Sequence, residues 1–467
     1  MTSFIPPPSL LYDMTDRRLL AVVAVLSLVL AGCSAPAAPV GQSDVAGTAS
    51  SDADVSAGSD AQDESADSDA SGSDGSDSDA SGSDAAESDP DPDTAERSLS
   101  FDPDPVWERV TTLMASDAEQ PPLTVGVPGA TAGQAFAPDR STFKQALNAS
   151  AAASASDASG PRGVTTPFGV YVEPGGGPPV VVEQVLAHEY AHAVQYADSM
   201  FAPWLTEPVR STDQQMTQTA LIEGGATYVG DVYTERYLSD VPLQSEQMRR
   251  SYERAAAGDR FFVAPYYFGA EYVDRRLDSP ADLQSVYDNP AYNTAELLHG
   301  EGAGEQLPMS IAVDTSDGDW TATSRDKKGE LYTRIALRAT LDGDAAATAA
   351  AGWGNDSAIS FDHDGGDPDA FVWALRWDTA TDADEFVAAF ERSLDRRTDD
   401  WADRTRVEYL SDRTVTVVMG PDAFREGTTI TGTAGDLSID VDAAADSGWF
   451  QRDAASTLSS AAPPAAS

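Results

Sequence analysis

Apolar positions recur every three or four residues in several stretches, and that spacing predicts amphipathic helices. Over 102–114, Trp107, Val110 and Leu113 share one face, and Pro105 fits the first turn of a helix. A short helix is expected over 141–147. Strict alternation over 166–173 puts Phe168, Val170 and Val172 on one side of a strand. The Pro/Gly run at 174–179 must interrupt it. Two long helices follow, over 181–197 and 214–237, with shorter ones over 267–277 and 281–287. Beyond Glu330 the pattern mixes: helix 331–341, strands 353–361 and 370–377, helix 383–394. A hairpin of 407–410 with 414–419 then turns at Ser411-Asp412-Arg413. The fold class expected is α+β, with a helix-rich part ahead of a smaller α+β unit. Trp353, Trp373, Trp377 and Phe386 read as core of that unit.

Elsewhere the pattern fails. Residues 34–100 are Ser, Asp, Ala and Gly with almost no large apolar side chain, too little to offset chain entropy, so a disordered spacer is expected. Ahead of it Arg17-Arg18 precedes a 13-residue apolar run, 19–31, too short for a comfortable membrane span. That run ends Leu30-Ala31-Gly32-Cys33, which resembles a lipobox. The resemblance implies cleavage before Cys33 and a lipid on its thiol. Cys33 is the chain's one cysteine, so no intrachain disulfide can form. Met14 gives a better-formed signal than Met1. The expected organisation is a signal peptide over 1–33, an acidic linker over 34–100, a catalytic-type domain over 101–310, an α+β unit over 311–450 and a disordered tail over 451–467.

Charge narrows the setting. The chain carries 77 acidic and 29 basic residues, a net −48, of which the linker holds −16. The remaining −32 falls on the part expected to fold. A surface this acidic repels itself unless salt screens it, with a Debye length of about 3 Å near 1 M. The expectation is halophilic adaptation. No nucleic-acid partner is expected, because no basic patch stands out against this field.

Candidate chemistry concentrates in the first long helix, at His188-Glu189-Tyr190-Ala191-His192. Residues four apart share a helix face, so both imidazoles can reach one metal, and Glu189 can act as base on a water beside it. Only four histidines exist in the chain, which makes two at this spacing more telling. A catalytic zinc needs a third protein ligand. Glu223, in Ile222-Glu223-Gly224-Gly225-Ala226, is preferred, because the small residues allow its helix to approach the histidine helix. Glu207 is the alternative, though the following Pro208 suggests a loop.

These two motifs resemble the gluzincins, the peptidase MA-like zinc metallopeptidases that pair an HExxHxxQ helix with a Glu-Gly-x-Ala helix. Pro265 to Gly269, Asn289 to His299 and Ala351 to Asp356 are similar to later segments of that group. The resemblance spans roughly 101–419 and implies a zincin-like fold. It implies His188, His192 and Glu223 as zinc ligands and Glu189 as general base. His299 and tyrosines near the site are candidate oxyanion stabilisers, with a structural hydrogen-bonding role before a loop as the other reading of His299. His363 reads as a solvated turn residue. Together with lipobox and acidic linker, the domain looks like that of surface lipoproteins of haloarchaea. The expected function is peptide-bond hydrolysis at the extracellular face of the cell membrane, on a peptide or protein substrate. The rival is a zincin-like surface protein that binds metal or a partner, or serves the envelope, without turnover.

Overall fold

The computed structural model describes residues 33–34, 98–126, 141–150, 160–201, 208–300, 302–303, 306–316, 319–363 and 369–442. Among them lie 13 α-helices and three sheets, a mixed α+β architecture. The expected linker up to residue 97, Glu207 and the expected tail over 451–467 lie outside the described residues.

The described residues begin with β1 (Cys33–Ser34), α1 (Asp104–Met114), β2 (Leu123–Val125), α2 (Thr142–Ala146), β3 (Arg162–Thr166) and β4 (Gly169–Glu173). The strands form one sheet in the order β1-β3-β4-β2, antiparallel except where β2 meets β4. The strand expected over 166–173 is present as β4 with Val170 and Val172 buried, but it starts at Gly169, and the residues before it turn back into β3 as a hairpin. Pro167 and Phe168 form its tip, and Phe168 is exposed rather than on the inner face. Alternation continues across the turn, so the pattern alone gives no sign of the reversal.

Next come α3 (Pro179–Ala197), α4 (Thr212–Tyr237), α5 (Gln244–Arg254), α6 (Ala257–Asp274), α7 (Gln284–Asp288) and α8 (Thr294–His299). Pro179 starts α3 where a missing N–H costs nothing. From Gln184 to Gln195 every residue of α3 is buried, so it is a core helix with polar groups inside. Ser211 caps α4 by accepting from Gln214 N–H. Helix α6 starts ten residues before its expected beginning and runs through Pro265. An interior proline costs about 3 kcal/mol. Burial of Tyr266, Phe268 and Tyr272 offsets it. Helix α5 has no counterpart among the expected elements; its buried face is only Gln244, Met248 and Tyr252.

The remainder holds β5 (Ser310–Asp314), β6 (Thr321–Asp326), α9 (Gly329–Leu337), α10 (Gly343–Ala350), β7 (Trp353–Asp362) and β8 (Ala370–Trp377). Then follow α11 (Ala380–Asp395), α12 (Asp400–Asp403), β9 (Thr405–Ser411), β10 (Thr414–Met419), α13 (Asp422–Gly427), β11 (Thr428–Thr433) and β12 (Asp436–Val441). An antiparallel sheet runs β6-β7-β8-β10-β9, and a third runs β11-β12-β5. As expected, Trp353, Trp373, Trp377 and Phe386 are core. One buried cluster joins Leu186 of α3, Leu221 of α4, Leu331 of α9 and Trp373 of β8, so it crosses residue 310 without a break. The buried Asp356 carboxylate accepts from the indoles of Trp353 (3.0 Å) and Trp373 (2.9 Å) and from Gly329 N–H (2.9 Å). These bonds tie β7, β8 and the start of α9 together.

Candidate metal centre

His188 and His192 project from one face of α3 toward Glu223 of α4. Their Nε2 atoms are 3.1 Å apart, and Glu223 Oε2 lies 3.2 Å from His192 Nε2 and 3.5 Å from His188 Nε2. Ligands at bond lengths near 2.0–2.1 Å around a tetrahedral ion stand about 3.3 Å from one another. The three separations match that spacing, and the three residues could hold a metal ion. All three are at most 2% exposed.

Their outer nitrogens are engaged. His192 Nδ1 meets Gln195 Oε1 at 2.8 Å, and His188 Nδ1 meets Gln244 Oε1 at 3.2 Å. An amide oxygen only accepts, so each Nδ1 carries the proton and each Nε2 turns its lone pair inward. Gln195 in turn donates to the Tyr287 hydroxyl at 2.7 Å. Burial alone would raise the Glu223 carboxyl, yet the two imidazoles hold it well below the usual range. His192 is drawn up by the same carboxylate against the effect of burial. Both shifts favour a negative carboxylate next to positive charge.

Glu189 sits beside the cluster. Its Oε2 accepts from the Thr165 hydroxyl at 2.6 Å, and its Oε1 is buried with no hydrogen-bond partner among the described residues. Burial pushes its carboxyl up, opposed by the nearby imidazoles. Strand β3 presses on it: a Cβ on Gly163 would lie 2.4 Å from Glu189 Cγ, so only glycine fits. Tyr196, one turn beyond His192, has a buried hydroxyl without a partner among the described residues. Burial raises its phenol, and the charges of Glu223 and Glu189 raise it further.

Of the expected site residues, the fold brings together His188, Glu189, His192 and Glu223. It does not bring His299 to them. That imidazole ends α8, is half exposed and binds Glu330 Oε1 at 2.6 Å, which raises its pKa. His363 is exposed, with its ring edge-on to Trp320. The expected close approach of all the small residues to the histidine helix needs correction. Gly224 faces Gly269 of α6, while Gly225 faces Tyr287 and Gln195. Gln244, Tyr287 and Thr165 went unread as site residues, because only the fold places them. Gln195 had a signal as the last position of HExxHxxQ, and Tyr196 had one in its place four residues after His192 on the same helix face.

A family model described as a domain of unknown function, DUF8575, matches residues 319–429, a span that holds β6 through α13 and none of the cluster. No curated protein and no solved structure matches the chain.

Proposed function

We propose that this protein is a zinc-dependent peptidase of the gluzincin kind, held at the outer face of the membrane by a lipid on Cys33. One observation carries the catalytic reading: His188, His192 and Glu223 converge at ligand spacing with the unbonded Glu189 Oε1 beside them. Two nitrogen donors, one carboxylate and no thiolate suit zinc. Zinc bound there would acidify a water and polarise a scissile carbonyl. Glu189 takes the proton from the attacking water, and its burial favours keeping that proton until the leaving amine accepts it. Thr165 fixes the carboxylate's orientation through Oε2. Tyr196 supplies a hydroxyl with no competing partner among the described residues, suited to donate to an oxyanion. His299 has no part in this mechanism.

The full chain is expected to copurify with zinc. His192→Ala should lose the metal. Glu189→Gln should keep it and slow hydrolysis of unstructured peptides about a thousandfold. Tyr196→Phe should keep it and slow turnover about a hundredfold. A zinc-free wild type, or full activity in Glu189→Gln, rejects the reading. The near-complete burial of the ligands and the packing of β3 on Glu189 favour a second reading, metal binding without turnover. A zinc-loaded wild type inert on every peptide selects it.

Among the described residues no helix is long and apolar enough to cross a membrane. The lipid anchor rests on the lipobox-like sequence before Cys33. Cys33→Ser should move the protein from the detergent phase to the aqueous phase; unchanged partition overturns the anchor.

A further inference from the structure

Away from the metal centre, a cavity of about 640 Å³ opens between the start of α4, β5, β6 and β7. Arg210, Arg325 and Lys327 line it. None of these three makes an ion pair among the described residues. The Arg325 guanidinium donates to Ile311 O at 2.8 Å, and Lys327 Nζ donates to Gln306 Oε1 at 3.0 Å, both neutral acceptors. Three carboxylates also border the cavity, but each is engaged within the fold. Asp356 is held by two indoles and backbone N–H groups. Asp326 takes Thr212 and Lys328, and Asp213 takes the N–H and hydroxyl of Thr294, with the Lys327 charge also acting on it from beyond ion-pair distance.

A second observation points the same way. Ser357 lines the cavity, is 8% exposed, and its hydroxyl is buried with no hydrogen-bond partner among the described residues. A buried donor without an acceptor costs about 1–3 kcal/mol. A ligand oxygen would remove that cost. Met309 and Ile311 give the cavity an apolar side, suited to a short carbon skeleton. The cavity reaches α4 at Gln214, nine residues before Glu223, about half a turn round the helix and on its other side.

We propose that this cleft binds a small oxyanion ligand, a carboxylate or phosphate held among Arg210, Arg325 and Lys327 with the Ser357 hydroxyl donating to it. The site is independent of the metal centre. Charge-assisted hydrogen bonds are the stronger kind, and the surrounding negative field makes the three cations the place where an anion is admitted.

Calorimetric titration of the full chain in molar chloride with citrate, and separately with inorganic phosphate, tests this. Saturable binding of at least one anion is expected. Citrate binding alone identifies an organic acid, and phosphate binding identifies a phosphorylated ligand. The Arg325→Gln, Lys327→Gln double variant should bind about tenfold or more weakly, with its metal content unchanged. If that variant fails to fold, Arg210→Gln, which alters an exposed side chain, should weaken binding at least about threefold. Saturation by neither anion, or undiminished binding in the folded variant, overturns the proposal.

Discussion

Gly225 and Tyr287 divide one small space between them. A Cβ on residue 225 would stand 2.2 Å from the Tyr287 hydroxyl, which receives the Gln195 amide. The glycine admits the phenol that anchors Gln195, and through Gln195 the His192 ring. Asp213 shows a different residue-scale effect. Burial pushes its carboxyl up to about 6; bonds from Thr294 and the Lys327 charge pull it down, and Asp356 adds to the rise. An acid whose folded pKa is raised contributes stability below its unfolded pKa, near 4, and loses that contribution as pH climbs to about 6. Asp213→Asn removes this dependence. Urea midpoints at pH 4 and pH 7 should show the variant gaining about 3 kcal/mol on the wild type between them. Parallel curves would refute the buried, proton-holding Asp213.

Helices α4 and α6 meet backbone to backbone. A Cβ on Gly224 would lie 2.1 Å from the Gly269 carbonyl carbon, and one on Gly269 would lie 2.0 Å from Ala220 O. Backbone cannot swing aside as a side chain does. Gly224→Ala must therefore push the helices apart, at about 1–3 kcal/mol. Because Glu223 is the adjacent residue, the same displacement should carry its carboxylate away from the imidazoles. Lower melting temperature together with reduced bound zinc is expected. A variant as stable and as zinc-rich as the wild type would mean that the crossing is looser than these distances require.

Charge belongs to the molecule as a whole. The net −48 and an isoelectric point near 4.1 give a surface that repels itself whenever counterions are scarce. Melting temperature should fall steadily from about 3 M to about 0.1 M salt, as screening weakens. A flat profile would end the halophilic reading. The cluster's own attraction lies inside the protein, where salt screens little, so metal retention should follow unfolding and not ionic strength itself.

Long periodic stretches were legible because local pattern and burial agree there. Helices α3 and α4 and strands β7, β8 and β10 lie close to their expected limits. The histidine pair was legible too, because helical spacing alone puts residues four apart on one face. Local pattern misled where the chain reverses or where packing overrides propensity: the β3–β4 hairpin, the passage of α6 through Pro265, and the short strands β2, β5, β6, β11 and β12. Two decisions belonged to tertiary structure alone. One set Glu223 of α4 against the imidazoles of α3, 31 residues from His192, and sent His299 to Glu330. The other supplied Gln244, Thr165 and Tyr287 from three further elements. Sequence spacing fixes neighbours along one helix; which faces of different helices meet is decided by where glycine lets backbones close and where large side chains fill what remains.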